Sequence, residues 1–437
     1  MITKKAPIVA IVGRANVGKS SLFNAVLRRR EAIVANEPGT TRDPVWAKTS
    51  YKEHDFWLVD TAGIKDPEDE FEFTIQEQIA QAADSADVIW VVIEATAAIS
   101  SEDRSVAKMA LKTNKPIVLL VNKSDKKTNA TIADFQKLGI KKIILTSATQ
   151  NRGIGEVLDN LIAAIPKKRI KEEATLRIAL LGRPNVGKSH LFNTLLNKQQ
   201  AIVANIAGTT RDVNRQTIRF NQKSVVLMDT AGIRRSGKIG QGVERFSVIR
   251  TIAAIEEADI CLLLLDGHEF GTALDQKIAG MIKEAGKGLV LVVSKWDSVE
   301  KDAYTRDTMA KQIQHTFDFV PWAPLIFTSA VSGQNAAKLF EISQDIYNER
   351  GRKLKTPELN RWLKTVTDGH PPAGLKNTFP KLQYIVQEDN TFPNFKVFGN
   401  DLRLIHWSYK RYMERKLREK FGFDGTPVKF WFLENKK

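Results

Sequence analysis

The stretch that decides the fold is GRANVGKS, residues 13–20, which directly follows the apolar run Ile8–Val12. A second copy, GRPNVGKS, occupies residues 182–189 and follows the apolar run Ile178–Leu181. A GxxxxGKS loop between a strand and a helix binds phosphate, because its backbone amides and the helix N-terminus point at the anion. The predicted phosphate-binding residues are Gly13, Arg14, Ala15, Asn16, Val17, Gly18, Lys19 and Ser20, and then Gly182, Arg183, Pro184, Asn185, Val186, Gly187, Lys188 and Ser189.

Both loops belong to a longer repeat. GTTRD at residues 39–43 recurs at 208–212, and DTAGI at 60–64 recurs at 229–233, each 169 residues further along the chain, as the loops are. Two copies of this length indicate a duplicated domain rather than a solenoid. The strand candidates are Ile8–Val12, Phe56–Val59, Val88–Ile93, Ile117–Val121 and Ile143–Leu145, and then Ile178–Leu181, Val225–Met228, Ile260–Leu265, Leu289–Val293 and Leu325–Phe327. Continuous apolar strands separated by helical segments predict an α/β fold, a mostly parallel sheet with helices on both faces.

The residues after these strands supply ligands for phosphate and metal. Lys19 and Lys188 are expected to reach the β and γ phosphates, and the hydroxyls of Ser20 and Ser189 to bind Mg²⁺. A strand-end carboxylate can hold the same metal, and the glycine after it can offer its amide to the γ phosphate. This motif comprises Asp60, Thr61, Ala62, Gly63 and Ile64, and in the second copy Asp229, Thr230, Ala231, Gly232 and Ile233. Thr41 and Thr210 are expected to complete the metal shell in the triphosphate state.

Base choice is predicted from the residues after the next strands. The first motif is Asn122, Lys123, Ser124 and Asp125, and the second is Ser294, Lys295, Trp296 and Asp297. One carboxylate can accept both the N1–H and the exocyclic amine of guanine, a donor pair that adenine lacks. Ser147 with Ala148, and Ser329 with Ala330, are expected to offer backbone amides to the guanine carbonyl oxygen. The sequence therefore predicts two P-loop GTPase domains.

The chain length and charge pattern divide the sequence further. We predict a first GTPase domain at 1–166, a charged linker at 167–175, a second GTPase domain at 176–350 and a basic domain at 351–437. The last segment has 18 Lys and Arg against 9 Asp and Glu, within a chain of net charge +16. Such a balance favours a polyanionic partner, nucleic acid or an anionic membrane surface. One cysteine, Cys261, and no long apolar run favour a cytoplasmic protein without a membrane partner.

At this point the chain resembles the Der family, also called EngA, the tandem GTPases of bacteria. Beyond the shared motifs, the resemblance is carried by RRSGK at 234–238, ERFSVIRT at 244–251 and SYKRYMERKLREKFGFDGTP at 408–427. It implies a KH-like C-terminal α/β domain, a role in assembling the large ribosomal subunit and contact with its rRNA. We also expect the protein to be a monomer. In related GTPases with this loop sequence, the residue matching Asn16 and Asn185 helps to hold K⁺ beside the phosphates, so these two are expected to be catalytic together with the lysines and Thr41 and Thr210.

Several positions depart from common patterns. Many GTPases orient the attacking water with a glutamine where this chain has Ile64 and Ile233, so slow turnover is expected. Ser294 replaces the family's asparagine, and His190 follows Ser189 where a small residue is usual. The second site is therefore predicted to be the weaker.

The C-terminal domain is predicted to carry the RNA contacts. The pattern of residues 407–421 predicts a helix whose basic face includes Lys410, Arg411, Arg415 and Arg418. GFDG at 422–425 matches the GxxG clamp of KH domains by letter, but its place after this helix favours a helix-ending turn.

Three functions compete on sequence grounds. The first is a GTP-hydrolysing ribosome assembly factor, and the second is a non-catalytic RNA scaffold that senses GTP and GDP. The third is a subunit of an RNA-modifying enzyme, and no cysteine-based nucleophile or cofactor motif supports it.

Overall fold

The computed structural model describes residues 6–28, 46–52, 54–61, 79, 82, 86–126, 131–164, 176–198, 215–220, 223–229, 248–373 and 378–435. Two six-stranded sheets and one three-stranded sheet organise these residues. In the described ranges, no helix is both long enough and apolar enough to cross a bilayer.

The first sheet forms around β1, whose five residues are all buried. Its strands are β1 (Ile8–Val12), β2 (Trp46–Tyr51), β3 (His54–Asp60), β4 (Val88–Glu94), β5 (Ile117–Asn122) and β6 (Ile143–Leu145), in the order β2-β3-β1-β4-β5-β6. β2 pairs antiparallel with β3, and the other neighbours pair parallel. The carboxyl ends of the parallel strands therefore meet at one edge, where open α/β sheets bind ligands.

Four described helices accompany this sheet: Lys19–Leu27, Ser101–Leu111, Ile132–Gln136 and Ile154–Ala164. The second begins with a capping box, in which Ser100 and Asp103 satisfy each other's backbone amides. The helix Val248–Glu257 belongs to the same compact unit, where the indole Nε1 of Trp57 donates to Glu256 Oε1 at 2.6 Å. The sequence predicts the second GTPase domain at residues 176–350, so this helix lies in that range of the sequence but in the compact unit of the first sheet.

The second sheet repeats the first. Its strands are β7 (Leu176–Leu181), β8 (Arg215–Phe220), β9 (Lys223–Asp229), β10 (Ile260–Asp266), β11 (Gly288–Ser294) and β12 (Leu325–Phe327), in the order β12-β11-β10-β7-β9-β8. The accompanying helices are Lys188–Lys198, Ala273–Glu284, Thr305–Thr316 and Ala336–Arg350. The predicted duplicated α/β fold is confirmed by this matching strand order.

The C-terminal domain has a layer of helices on one face of a small sheet. The helices Thr356–Gly369 and Trp407–Phe421 enclose a core with strands β13 (Lys381–Gln387), β14 (Asn394–Asn400) and β15 (Lys429–Glu434), and a 3₁₀ turn spans Leu402–Leu404. β13 pairs antiparallel and β15 parallel with the central β14. Gly422 follows the second helix with φ 81°, so GFDG ends a helix, as predicted.

A buried arginine joins this domain to the second sheet, within one compact unit. The guanidinium of Arg350 donates to Gly286 O at 2.8 Å and lies 3.4 Å from Thr426 Oγ1. Beside it, Leu289 N donates to Gly425 O at 2.9 Å. Burial lowers the pKa of Arg350 to about 10. The second sheet and the C-terminal domain are therefore held together by buried polar contacts as well as by packing.

Candidate nucleotide-binding sites

The first phosphate loop wraps around its own lysine. Lys19 is buried, and its Nζ donates to the carbonyl oxygens of Gly13 at 2.8 Å and Arg14 at 2.5 Å. Asn16 and Gly18 have left-handed φ angles of 63° and 94°, which turn the loop back into the helix that begins at Lys19. The ammonium group is thus fixed at the loop, where the phosphates of a nucleotide are expected.

The candidate metal ligands lie beside this loop. Ser20 Oγ donates to Asp60 Oδ2 at 2.5 Å, and Asp60 is buried at the end of β3. A hydroxyl and a carboxylate at the same point are hard oxygen ligands of the kind that Mg²⁺ prefers, so the residues present fit that ion. Thr61 is held by its own hydroxyl, which donates to Ile11 O at 2.7 Å.

The base motif of the first site is hydrogen-bonded to the phosphate loop. Asn122 Nδ2 donates to Val17 O at 3.0 Å, and Asn122 Oδ1 accepts from Ala148 N at 3.2 Å. The Ser124 hydroxyl donates to Thr146 O at 2.9 Å. Asn122 therefore connects its own strand end to the phosphate loop, 105 residues earlier in the sequence, and to Ala148, 26 residues later.

Asp125, the predicted guanine acceptor, is exposed. A hydrogen bond from the Ser147 side chain holds the pKa of Asp125 below its usual value. The carboxylate is therefore ionised at neutral pH and available to two donors of a base.

An acidic residue missed in the sequence supports the first site. Lys123 Nζ lies 3.0 Å from both Asn16 O and Glu94 Oε1. Arg14 bonds Asp103 Oδ1 at 3.2 Å and approaches Glu94 at 3.8 Å. Hydrogen bonds from Thr96 and then Lys123 lower the pKa of Glu94. The one available signal was an acidic residue that ends the apolar run of β4.

The second phosphate loop has the same construction. Lys188 Nζ donates to Gly182 O at 3.1 Å and to Arg183 O at 2.7 Å, and Ser189 Oγ donates to Asp229 Oδ2 at 3.0 Å. Asn185 has φ 62°, which matches its counterpart in the first loop. Ser189 Oγ and Asp229 Oδ2 are hard oxygen ligands like those of the first site, so they also fit Mg²⁺.

The second site has its own acidic supports. Lys295 Nζ bonds Asp266 Oδ2 at 2.7 Å, and Arg183 of the loop bonds Glu269. Burial raises the pKa of Asp266, but the hydrogen bonds from Lys295 and from His268 N and the charges of Lys295 and Arg183 together lower it by more, so the net shift is downward. Asp297 is exposed, and a hydrogen bond from Ser329 lowers its pKa. Trp296 is buried against Phe327, with ring centroids 4.6 Å apart.

Ser294 makes one of the two hydrogen bonds that Asn122 makes in the first site, the bond to the phosphate loop. Its Oγ donates at 2.7 Å to Val186 O and lies 3.0 Å from Leu265 O, so one proton serves two acceptors. The space around the loop also differs. A Cβ added to Gly18 would lie 2.2 Å from Asn122 Nδ2, whereas one added to Gly187 would meet nothing within 4 Å. His190 is exposed at the start of its helix.

Part of the predicted set lies outside the described residues. It comprises Thr41, Ala62, Gly63 and Ile64 in the first site, and Thr210, Thr230, Ala231, Gly232 and Ile233 in the second.

The predicted RNA contacts divide into two kinds. Lys410, Arg411 and Arg415 are exposed on the helix Trp407–Phe421, with Arg411 4.8 Å above the Trp407 ring. Arg418 is different, because its guanidinium donates to Phe423 O at 2.5 Å, to Thr426 O at 3.0 Å and to Glu414. Arg418 therefore fixes the turn after its helix.

Comparison with known proteins covers almost the whole chain. A family described as 50S ribosome-binding GTPase matches residues 8–123 and 177–295, and one described as the KH-domain-like, C-terminal region of EngA bacterial GTPase enzymes matches 353–432. GTPase Der of Chloroflexus aggregans is 43% identical over 442 residues, covering 99% of this chain and 98% of that protein. GTPase Der of Alkaliphilus metalliredigens is 40% identical over 432 residues, covering 98% of each.

Solved structures are more distant. Aquifex aeolicus Era bound to GDP and AlF4⁻ is 22% identical, with a TM-score of 0.30 over 60% of this chain and 94% of that one. The G domain of the T. maritima FeoB iron transporter is 24% identical, with a TM-score of 0.29 over 36% of this chain and 98% of that one. The full-length similarities confirm the predicted KH-like third domain and the predicted relationship. The chain belongs to the GTPase Der family, whose members bind GTP.

Proposed function

We propose that the chain hydrolyses GTP at both sites and acts in the assembly of the large ribosomal subunit, with its nucleotide state setting domain arrangement and rRNA affinity. The observation that carries the proposal is the repeated convergence at one sheet edge of a loop lysine, a serine–aspartate pair and an exposed base-motif carboxylate. We place the protein in the cytoplasm as a monomer, with the domain ranges that its sequence predicts.

The metal step rests on the serine–aspartate pairs. Ser20 with Asp60, and Ser189 with Asp229, would hold Mg²⁺, which supplies positive charge next to the phosphates. The serine hydroxyl of each pair donates to the carboxylate, and both oxygens would serve as ligands for the ion. Lys19 and Lys188 then stabilise the charge that develops on the transferred phosphoryl group.

The cation step rests on the loop asparagines. Asn16 and Asn185 are exposed, and their left-handed backbone holds each side chain at the rim of its loop. The amide oxygen of each would hold K⁺ and so fix a positive charge beside the loop. In the sequence, Ile64 and Ile233 stand where many GTPases have a water-orienting glutamine. Hydrolysis is slow and faster in K⁺ than in Na⁺.

The RNA step rests on Lys410, Arg411 and Arg415. These exposed cations lie on one helix of a segment with net charge +9, which suits the closely spaced phosphates of folded rRNA.

Sedimentation with purified large subunits tests the proposal. The full chain should cosediment more strongly with a GTP analogue than with GDP, and the doubly reversed variant Arg411→Glu, Arg415→Glu should cosediment weakly while it still hydrolyses GTP. A matched control reverses Lys311 and Lys338, two exposed lysines of the second GTPase domain. Equal cosedimentation in all nucleotide states would overturn the switch, and absence of multiple turnover would favour the non-catalytic scaffold.

A further inference from the structure

The C-terminal sheet has a second face, opposite its helices. Ile385, Phe395 and Val397 point into the core with both helices of the domain. Side chains alternate along a strand, so the neighbouring residues point the other way. The pairing register aligns Tyr384, Phe398 and Leu433 in one row across the three strands, and Val386, Lys396 and Trp431 in the next. We call these two rows the outer sheet face.

Aromatic rings on the outer sheet face are open to solvent. Tyr384 is 45% exposed, and Phe398 and Trp431 are partly exposed. Tyr384 lies directly opposite Phe398 in the antiparallel pair. Flat rings held on neighbouring strands form a platform on which bases can stack, since every base has a π face.

Cations accompany these rings. Lys429 Nζ lies 4.2 Å from the centroid of the Trp431 ring, which places it on the same face. Lys396 lies between Val386 and Trp431 in the second row, and it pairs with Glu388 at the end of β13. Lysines interleaved with rings suit a ligand that offers bases and phosphates alternately.

We propose that the outer sheet face binds single-stranded RNA, with unpaired bases stacked on Tyr384 and Trp431 and phosphates next to Lys396 and Lys429. The inference rests on the proposed function, because it takes the RNA partner to be rRNA that is not yet base-paired. This site is separate from the helix cations, which suit the backbone of folded RNA. Stacking without contacts to base edges makes recognition tolerant of sequence.

The test measures binding of a labelled, unstructured 12-nucleotide RNA to the full chain, alongside the same RNA annealed to its complement. Tyr384→Ala and Trp431→Leu should each weaken single-strand binding by about 5- to 150-fold, the effect of one lost stacking contact. Lys396→Gln should reduce the salt dependence of binding by about 0.7 in the logarithmic slope. Tyr304→Ala is the matched control, since Tyr304 is 75% exposed and lies in the second GTPase domain. It should leave single-strand affinity unchanged.

The possible outcomes distinguish single-stranded RNA binding from protein docking, and the RNA site from the ribosomal role. Unchanged single-strand affinity in Tyr384→Ala overturns the inference, and because this ring is exposed, the variant decides even if Trp431→Leu does not fold. If Tyr384→Ala weakens subunit association but not oligonucleotide binding, the face docks protein and the inference fails. If the oligonucleotide results hold while large-subunit cosedimentation is absent, the site stands and the proposed ribosomal role falls.

Discussion

Replacing Ser294 by asparagine should strengthen the second nucleotide site. In the first site Asn122 both donates to the loop at Val17 O and accepts from Ala148 N, whereas Ser294 keeps the loop bond to Val186 O. The serine therefore lacks one hydrogen bond. One such bond contributes about 0.5–1.5 kcal/mol net, which is roughly a 2- to 13-fold gain in affinity for Ser294→Asn.

The structure leaves room for the longer side chain. The amide of Asn122 occupies the space next to Gly18, and the equivalent space next to Gly187 contains no atom within 4 Å of an added Cβ. The gain should therefore not be offset by a steric clash at the loop.

The assay must observe one site at a time in the full chain. Asp125→Asn exchanges an acceptor for a donor and removes guanine recognition at the first site, so GDP titration of that background reports on the second site alone. Ser294→Asn is then added. The mirrored control carries Asp297→Asn with Asn122→Ser, and it should lose affinity by a similar factor. If Ser294→Asn leaves GDP affinity unchanged, the missing hydrogen bond costs nothing and the reasoning is wrong.

Three further predictions concern other parts of the molecule. Asn16→Ala and Asn185→Ala should each remove the K⁺ acceleration of hydrolysis in their own domain; equal wild-type rates in K⁺ and Na⁺ would refute the cation role. Because Ser147 lowers the pKa of Asp125, guanine binding at the first site should persist on acidification until that lowered pKa is crossed. Ser147→Ala should move this loss to higher pH, toward the ordinary aspartate value, in GDP titrations between about pH 3 and 5, and an unmoved profile would contradict it. Arg350→Met should destabilise the junction by about 1–3 kcal/mol in urea unfolding, because Gly286 O loses its donor; an unchanged midpoint would show that the oxygen finds another partner.

Local sequence was sufficient to establish the repeated fold and to predict most of the nucleotide-site residues. The run Ile8–Val12 is β1 with no change of bounds, and the helix predicted at 407–421 has those ends. Such segments are continuously apolar or regularly amphipathic, so their pattern is visible without any partner. The loop lysines and base-motif carboxylates follow buried strands directly, and their roles stay predictions that the described geometry supports.

The edge strands β2 and β8 were missed for the opposite reason. β2 reads WAKTSY, an alternation of half-buried and buried positions that forms a strand because β3 provides hydrogen bonds. A short alternating segment gains little until its neighbour is present, so its structure is decided by long-range pairing.

The roles of side chains also divide into those that local sequence predicts and those that long-range contacts decide. The sequence by itself determined which residues follow the strands, and from that order it predicted which of them meet phosphate, metal and guanine. Only the tertiary structure decided that Glu94 supports Lys123, that Arg418 is engaged by the turn after its helix, and that Ser294 still reaches the loop. It also decided which aromatic residues share the outer sheet face. These contacts join residues that are distant in sequence or depend on the direction of a side chain, and both are set by packing and strand register rather than by local pattern.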